Sequence, residues 1–112
     1  MPYKMSNKKK YEGYRFNITW PDPESVNPDY AAAEVRVRTK SGKKYKAMFI
    51  TLDYVGYLFK KNKKTGECAS GTYFRMDDGF ILVRKLDRRD VKTTIDDLIQ
   101  NDEMGRAFSE TQ

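Results

Sequence analysis

The stretch YRFNITW, residues 14–20, alternates with a period of two. Tyr14, Phe16, Ile18 and Trp20 fall on one side, and Arg15, Asn17 and Thr19 on the other. That is the pattern of a half-buried strand. PDPESVNPDY follows, and Pro21, Pro23 and Pro28 end the strand in a long loop because proline cannot donate to a ladder. Two more alternating runs, AAAEVRVRT and KKYKAMFIT, flank a Ser-Gly turn. Val35 and Val37 alternate with Glu34, Arg36 and Arg38, while Tyr45, Ala47 and Phe49 alternate with Lys44, Lys46 and Met48. Together they predict a β-hairpin.

The period then changes. In TLDYVGYLFKKNKKTG, Leu52, Val55, Leu58 and Phe59 form a helical stripe. Thr51 is its expected N-cap, Asp53 suits the first turn, Lys60, Lys61, Lys63 and Lys64 suit the last, and Gly66 is the stop. GTYFRM and FILVRKL around DDG read as a second hairpin. Its strand Phe80–Val83 is apolar on both faces, which predicts a central position covered on both sides. DRRDVKTTIDDLIQND is a second helix, with Val91, Ile95, Leu98 and Ile99 as its stripe and Asp87 or Asp90 as its cap. Asp96 and Asp97 fall on its polar, solvated side. EMGRAFSETQ adds one turn, with Met104, Ala107 and Phe108 packing back.

The order β-ββ-α-ββ-α predicts an α+β fold, a mostly antiparallel sheet of about five strands with two helices packed on one face. The expected organisation is a flexible basic arm over residues 1–13, one domain over 14–108 and a frayed tail over 109–112. A chain of 112 residues accommodates one core.

Composition narrows the chemistry. Histidine is absent and there is one cysteine, so no Ser-His-Asp triad, Cys-His pair, internal disulfide or structural zinc site can be built from this chain. No phosphate-binding glycine motif occurs. Cys68 in TGECASG lacks a base beside it and reads as a small, half-buried thiol. DDGF with LDRRD lacks the carboxylate spacing of a calcium loop, and MDDG is explained by a turn. No metal, cofactor or catalytic residue is expected. No apolar run approaches a membrane span and no secretory signal pattern opens the chain, so the expected location is cytoplasmic.

Net charge is +6, from 22 Lys+Arg against 16 Asp+Glu, which favours an anionic partner. Two candidate surfaces follow. One is the exposed side of the first helix and its exit loop: Tyr54, Tyr57, Lys60, Lys61, Lys63 and Lys64. Tyrosine beside cations is the composition of a protein-recognition patch. The other is the polar sheet face, with Arg15, Arg36, Arg38, Lys44, Lys46 and Arg75, joined by the Lys8–Lys10 run of the arm. It carries the charge for nucleic acid, but its aromatic neighbours point to the core.

The segment from Lys40 to Phe108 runs SGKKYKAMFIT, a helix, TGECASGTYF, DDGFILVRKL and a helix ending DDLIQNDEMGRAF. In this build it resembles small bacterial immunity-type proteins, which neutralise a toxin encoded beside them, including those of contact-dependent growth inhibition. The resemblance implies a non-enzymatic module that binds a cognate toxin or effector. A basic charge departs from immunity proteins that mask basic nucleases and suits an acidic or mixed-charge toxin face. The alternative expectation is a nucleic-acid-binding accessory protein using the basic sheet face and the lysine arm.

Overall fold

The alternating runs become strands where their period places them. In the computed structural model, which describes residues 13–21, 27–76 and 79–111, β1 is Tyr14–Thr19, β2 Ala32–Thr39 and β3 Lys44–Thr51. The helix α1, Leu52–Thr65, follows without a gap, then the short α2, Glu67–Gly71. The chain continues with β4 Phe80–Val83, α3 Arg88–Gln100, α4 Met104–Ala107 and β5 Ser109–Thr111. The fold is α+β, with a mostly antiparallel five-stranded sheet in the order β1-β2-β3-β4 and β5 also on β3. Of the expected arm, only Gly13 lies among the described residues, where its carbonyl accepts the Lys40 amide at 2.8 Å.

Ile50, 1% exposed, is buried on one face of the sheet, while most of the core lies on the other. Val35, Val37, Ala47 and Phe49 are buried there, and Tyr14, Phe16 and Ile18 pack against them. On that face α3 buries Val91 and Ile95, capped by Asp87, whose side chain accepts the Asp90 amide at 2.7 Å. The turn of α4 returns Met104 and Phe108 to the same core, with the Phe108 ring edge-on to Phe49 at 5.8 Å. Each large side chain so buried contributes about 1.5–3 kcal/mol. Polar contacts fix α3 against β1. Tyr14 donates to Asp96 at 2.5 Å, and the Arg88 guanidinium lies 4.3 Å over the Phe16 ring. Asp96 is therefore not merely solvated, as its place on the polar side of α3 suggested.

The second half of the sheet departs from the expected hairpin. Residues 73–76 form no strand, and β4 pairs parallel with β3, Met48 opposite Phe80 through Thr51 opposite Val83. The reason is the connection: parallel neighbours need a long crossover, and α1 with α2 supplies one. β4 therefore sits at an edge of the sheet, not at its centre, and Leu82 is 52% exposed. The remaining strand is β5, where a frayed tail was expected. It pairs antiparallel with the first part of β3, Lys44 opposite Thr111 and Lys46 opposite Ser109. A three-residue strand carries too little pattern to be read from sequence.

Candidate functional site

The helix α1 has the predicted bounds and caps, but its apolar stripe does not enter the core. Asn62 is its buried residue. Leu52 is 68% exposed, Phe59 also stands exposed, and Val55 and Leu58 are half-buried. An amphipathic helix ordinarily draws its stability from burying that stripe.

Thr51 fixes how α1 leaves the sheet. It is 1% exposed, and its Oγ1 accepts the Ala31 amide at 3.0 Å and the Tyr54 amide at 3.4 Å. One hydroxyl thus ties the start of α1 to the chain entering β2. The tie brings Tyr30 beside two tyrosines of the helix. Ring centroids are 5.4 Å apart for Tyr30–Tyr54, 5.8 Å for Tyr30–Tyr57 and 5.5 Å for Tyr54–Tyr57. Tyr30 meets both rings edge-on, while Tyr54 and Tyr57 are tilted against each other, and both are favoured geometries for aromatic pairs. Partial desolvation, then the neighbouring Tyr57 and Tyr54, push the Tyr30 hydroxyl above the ordinary tyrosine pKa. Tyr30 and Tyr57 remain partly open to solvent, at 40% and 42%.

Lys60, Lys61, Lys63 and Lys64 continue along α1, all exposed. Lys60 and Lys61 lie one turn beyond Tyr57, so tyrosines and cations share a helix surface. Lys61 is 4.0 Å from Glu67. All six residues expected at a protein-binding patch are therefore carried by one helix. Tyr30 is the member the sequence reading missed, because it lies in the proline-rich loop outside any periodic segment.

Gly66 closes α1 with a left-handed backbone, and after Glu67 the chain turns left-handed again at Cys68, Ala69 and Ser70, at φ 51°, 51° and 59°. Left-handed non-glycine residues cost about 1–2 kcal/mol each. Gly71 allows the close return, since a β-carbon there would stand 2.4 Å from the Phe59 carbonyl oxygen. Cys68 is half-buried in this turn.

The second predicted surface is assembled in register. Arg15 lies opposite Arg38, Arg38 opposite Lys44, and Lys44 opposite Thr111. In the next row of the same face, Asn17 lies opposite Arg36, Arg36 opposite Lys46, and Lys46 opposite Ser109. All five cations are exposed, and this face points away from α3. Arg36 is paired with Glu34 at 2.8 Å. Arg15, Arg38, Lys44 and Lys46 make no ion pair among the described residues. Arg75 is not part of the array, because residues 73–76 form no strand and leave it in the connection after α2. Lys8, Lys9 and Lys10 lie outside the described residues.

Among the described residues, no cluster of three His, Cys, Asp or Glu side chains could hold a metal ion, and no helix is long and apolar enough to cross a membrane. Neither a protein family, a curated protein nor a solved structure matches the chain.

Proposed function

We propose that this chain is a non-enzymatic protein-binding module of immunity type, which binds a cognate toxin or effector and neutralises it by covering its surface. The observation that carries the reading is the state of α1. A helix of 14 residues with Leu52, Tyr54, Val55, Tyr57, Leu58 and Phe59 buries none of them in the core. Soluble domains rarely leave such a patch without a partner.

The Tyr30, Tyr54 and Tyr57 rings supply rigid anchors at low entropic cost, which is the composition of interface hot spots. Lys60, Lys61, Lys63 and Lys64 form a cationic border, so the partner presents an acidic or mixed-charge rim that speeds association. A standard interface would bury about 800 Å2 on each side. The resemblance to immunity-type proteins gives the toxin-neutralising form of the proposal.

The test is co-expression and co-purification with the product of the adjacent gene, with growth protection as the readout. Binding by the native chain and a loss of at least about 30-fold in Tyr57→Ala, from a hot spot of about 2 kcal/mol, support the reading. Failure to bind or protect against any neighbouring product removes the immunity form. Unchanged affinity in a Tyr54→Ala/Tyr57→Ala double variant removes α1 as the interface.

A further inference from the structure

The cationic sheet face lies at the opposite end of β3 from Thr51, where α1 starts, and the tyrosine surface makes no use of it. We propose that this face binds the phosphate backbone of double-stranded nucleic acid, without sequence preference, through Arg15, Arg38, Lys44 and Lys46.

Neighbouring strands place their side chains about 5 Å apart, and like charges directly opposite one another are destabilising. Arg15, Arg38 and Lys44 form such a row across three strands, and Arg36 and Lys46 form another beside it. Among the described residues, Arg36 is the one of these five cations that is neutralised, by Glu34. The array concentrates positive potential on a surface that no described element covers. A depression of about 320 Å3 opens among Arg15, Arg36, Arg38 and Lys44, with Thr111 at its border and Phe16, Val37 and Tyr45 also contributing to its lining. β5 widens the face by one strand, adding the hydroxyl-bearing Ser109 and Thr111 beside Lys46 and Lys44. Hydroxyl side chains beside arginine and lysine are a usual phosphate-contacting set.

The missing chemistry selects the ligand. A protein partner needs an apolar or aromatic centre to its interface. Here the side chains of Tyr14, Phe16 and Tyr45 all pack toward the α3 side of the sheet, so the side chains these rows project are charged, amide or hydroxyl groups and none is a ring. A splayed single strand needs rings on which its bases stack, and those are absent from the rows for the same reason. What remains is the sequence-independent recognition of a paired backbone, in which guanidinium groups engage phosphate oxygens two at a time.

The test is fluorescence anisotropy of a labelled 20-base-pair duplex with the full chain, titrated from about 50 to 300 mM salt. Micromolar binding is expected, with log affinity falling against log salt at a slope of about −4, from four contacts at roughly 0.9 each. Arg38→Ala should flatten the slope by about one, and Arg38→Ala/Lys44→Ala should weaken binding at least tenfold. These side chains are exposed, so an unchanged thermal melt confirms that the variants fold. Three results overturn the proposal. They are no binding at 50 mM salt, binding lost on neutralising Lys8–Lys10 but indifferent to Arg38 and Lys44, and tighter binding to a polyglutamate chain of matched charge.

Discussion

Replacing Thr51 by valine removes one oxygen and keeps the side-chain volume, so it isolates the hydroxyl from packing. That oxygen accepts two amides, from Ala31 at 3.0 Å and Tyr54 at 3.4 Å, in a site 1% exposed. Loss of the N-cap of α1 costs about 1 kcal/mol. The Ala31 amide loses its side-chain acceptor in a buried site, which costs about 1–3 kcal/mol more. The expected destabilisation is about 2–4 kcal/mol, a large share of the stability of a domain this size. In urea the midpoint should fall with the slope of the transition unchanged, since the surface exposed on unfolding is the same. Thr51→Ser retains the oxygen and should recover most of the loss. The variant should also loosen the Tyr30–Tyr54–Tyr57 cluster and weaken partner binding, because the same hydroxyl joins the two chain segments that carry it. A Thr51→Val chain within about 0.5 kcal/mol of native would refute the account of Thr51 as the joint.

Three further outcomes follow from named contacts. Tyr14→Phe removes the hydrogen bond from β1 to Asp96 and should cost about 1 kcal/mol, with a double-mutant cycle against Asp96→Asn showing a coupling of similar size. Gly71→Ala places a β-carbon 2.4 Å from the Phe59 carbonyl at φ +79°, so it should destabilise by at least about 1 kcal/mol, and faster hydrogen exchange confined to the Phe59–Lys63 amides would locate the damage. The Tyr30 hydroxyl is raised by desolvation and then by Tyr57 and Tyr54, so the folded chain keeps this proton after the unfolded chain has lost it. Its stabilising contribution is full below about pH 10 and falls as pH rises through the native value, and absorbance at 295 nm should show a late-titrating tyrosine that Tyr30→Phe abolishes.

Periodicity carried the first half of the fold because each strand there is half-buried. One face touches α3 and the other touches water, so polar and apolar residues must alternate from Tyr14 to Phe49. The caps were legible for the same local reason: Thr51, Asp87 and Gly66 act on amides or carbonyls within a few residues. What failed was non-local. FILV is apolar on both sides in an edge strand, and nothing in those four residues distinguishes an edge next to a parallel neighbour from a covered centre. TYFRM has strand composition but no ladder to join, because the slot beside the first half of β3 is taken by β5 from the far end of the chain. The two site surfaces were legible as residue types, and the sheet cations also as a shared face. Tyr30 and Thr111 were not, since each reaches its surface through a tertiary pairing.

The crossover explains why two surfaces stand open at once. In an ordinary β-α-β unit the connecting helix packs back onto the sheet, covering a sheet face with its apolar stripe. Here α1 connects two parallel strands, yet its stripe stays out of the core. The open sheet face is lined by Arg15, Arg36, Arg38, Lys44 and Lys46, of which Glu34 neutralises one. Burying such charges beneath a helix would cost several kcal/mol for each unpaired ion. That exceeds the roughly 1.5–3 kcal/mol gained per apolar side chain covered. The stripe therefore does not extend over the cationic rows, whereas at the α1 end of the same face Ile50 is 1% exposed, and α3 occupies the other face. The cations that keep these rows open thus also leave Leu52, Tyr57 and Phe59 of the tyrosine-bearing helix exposed among the described residues.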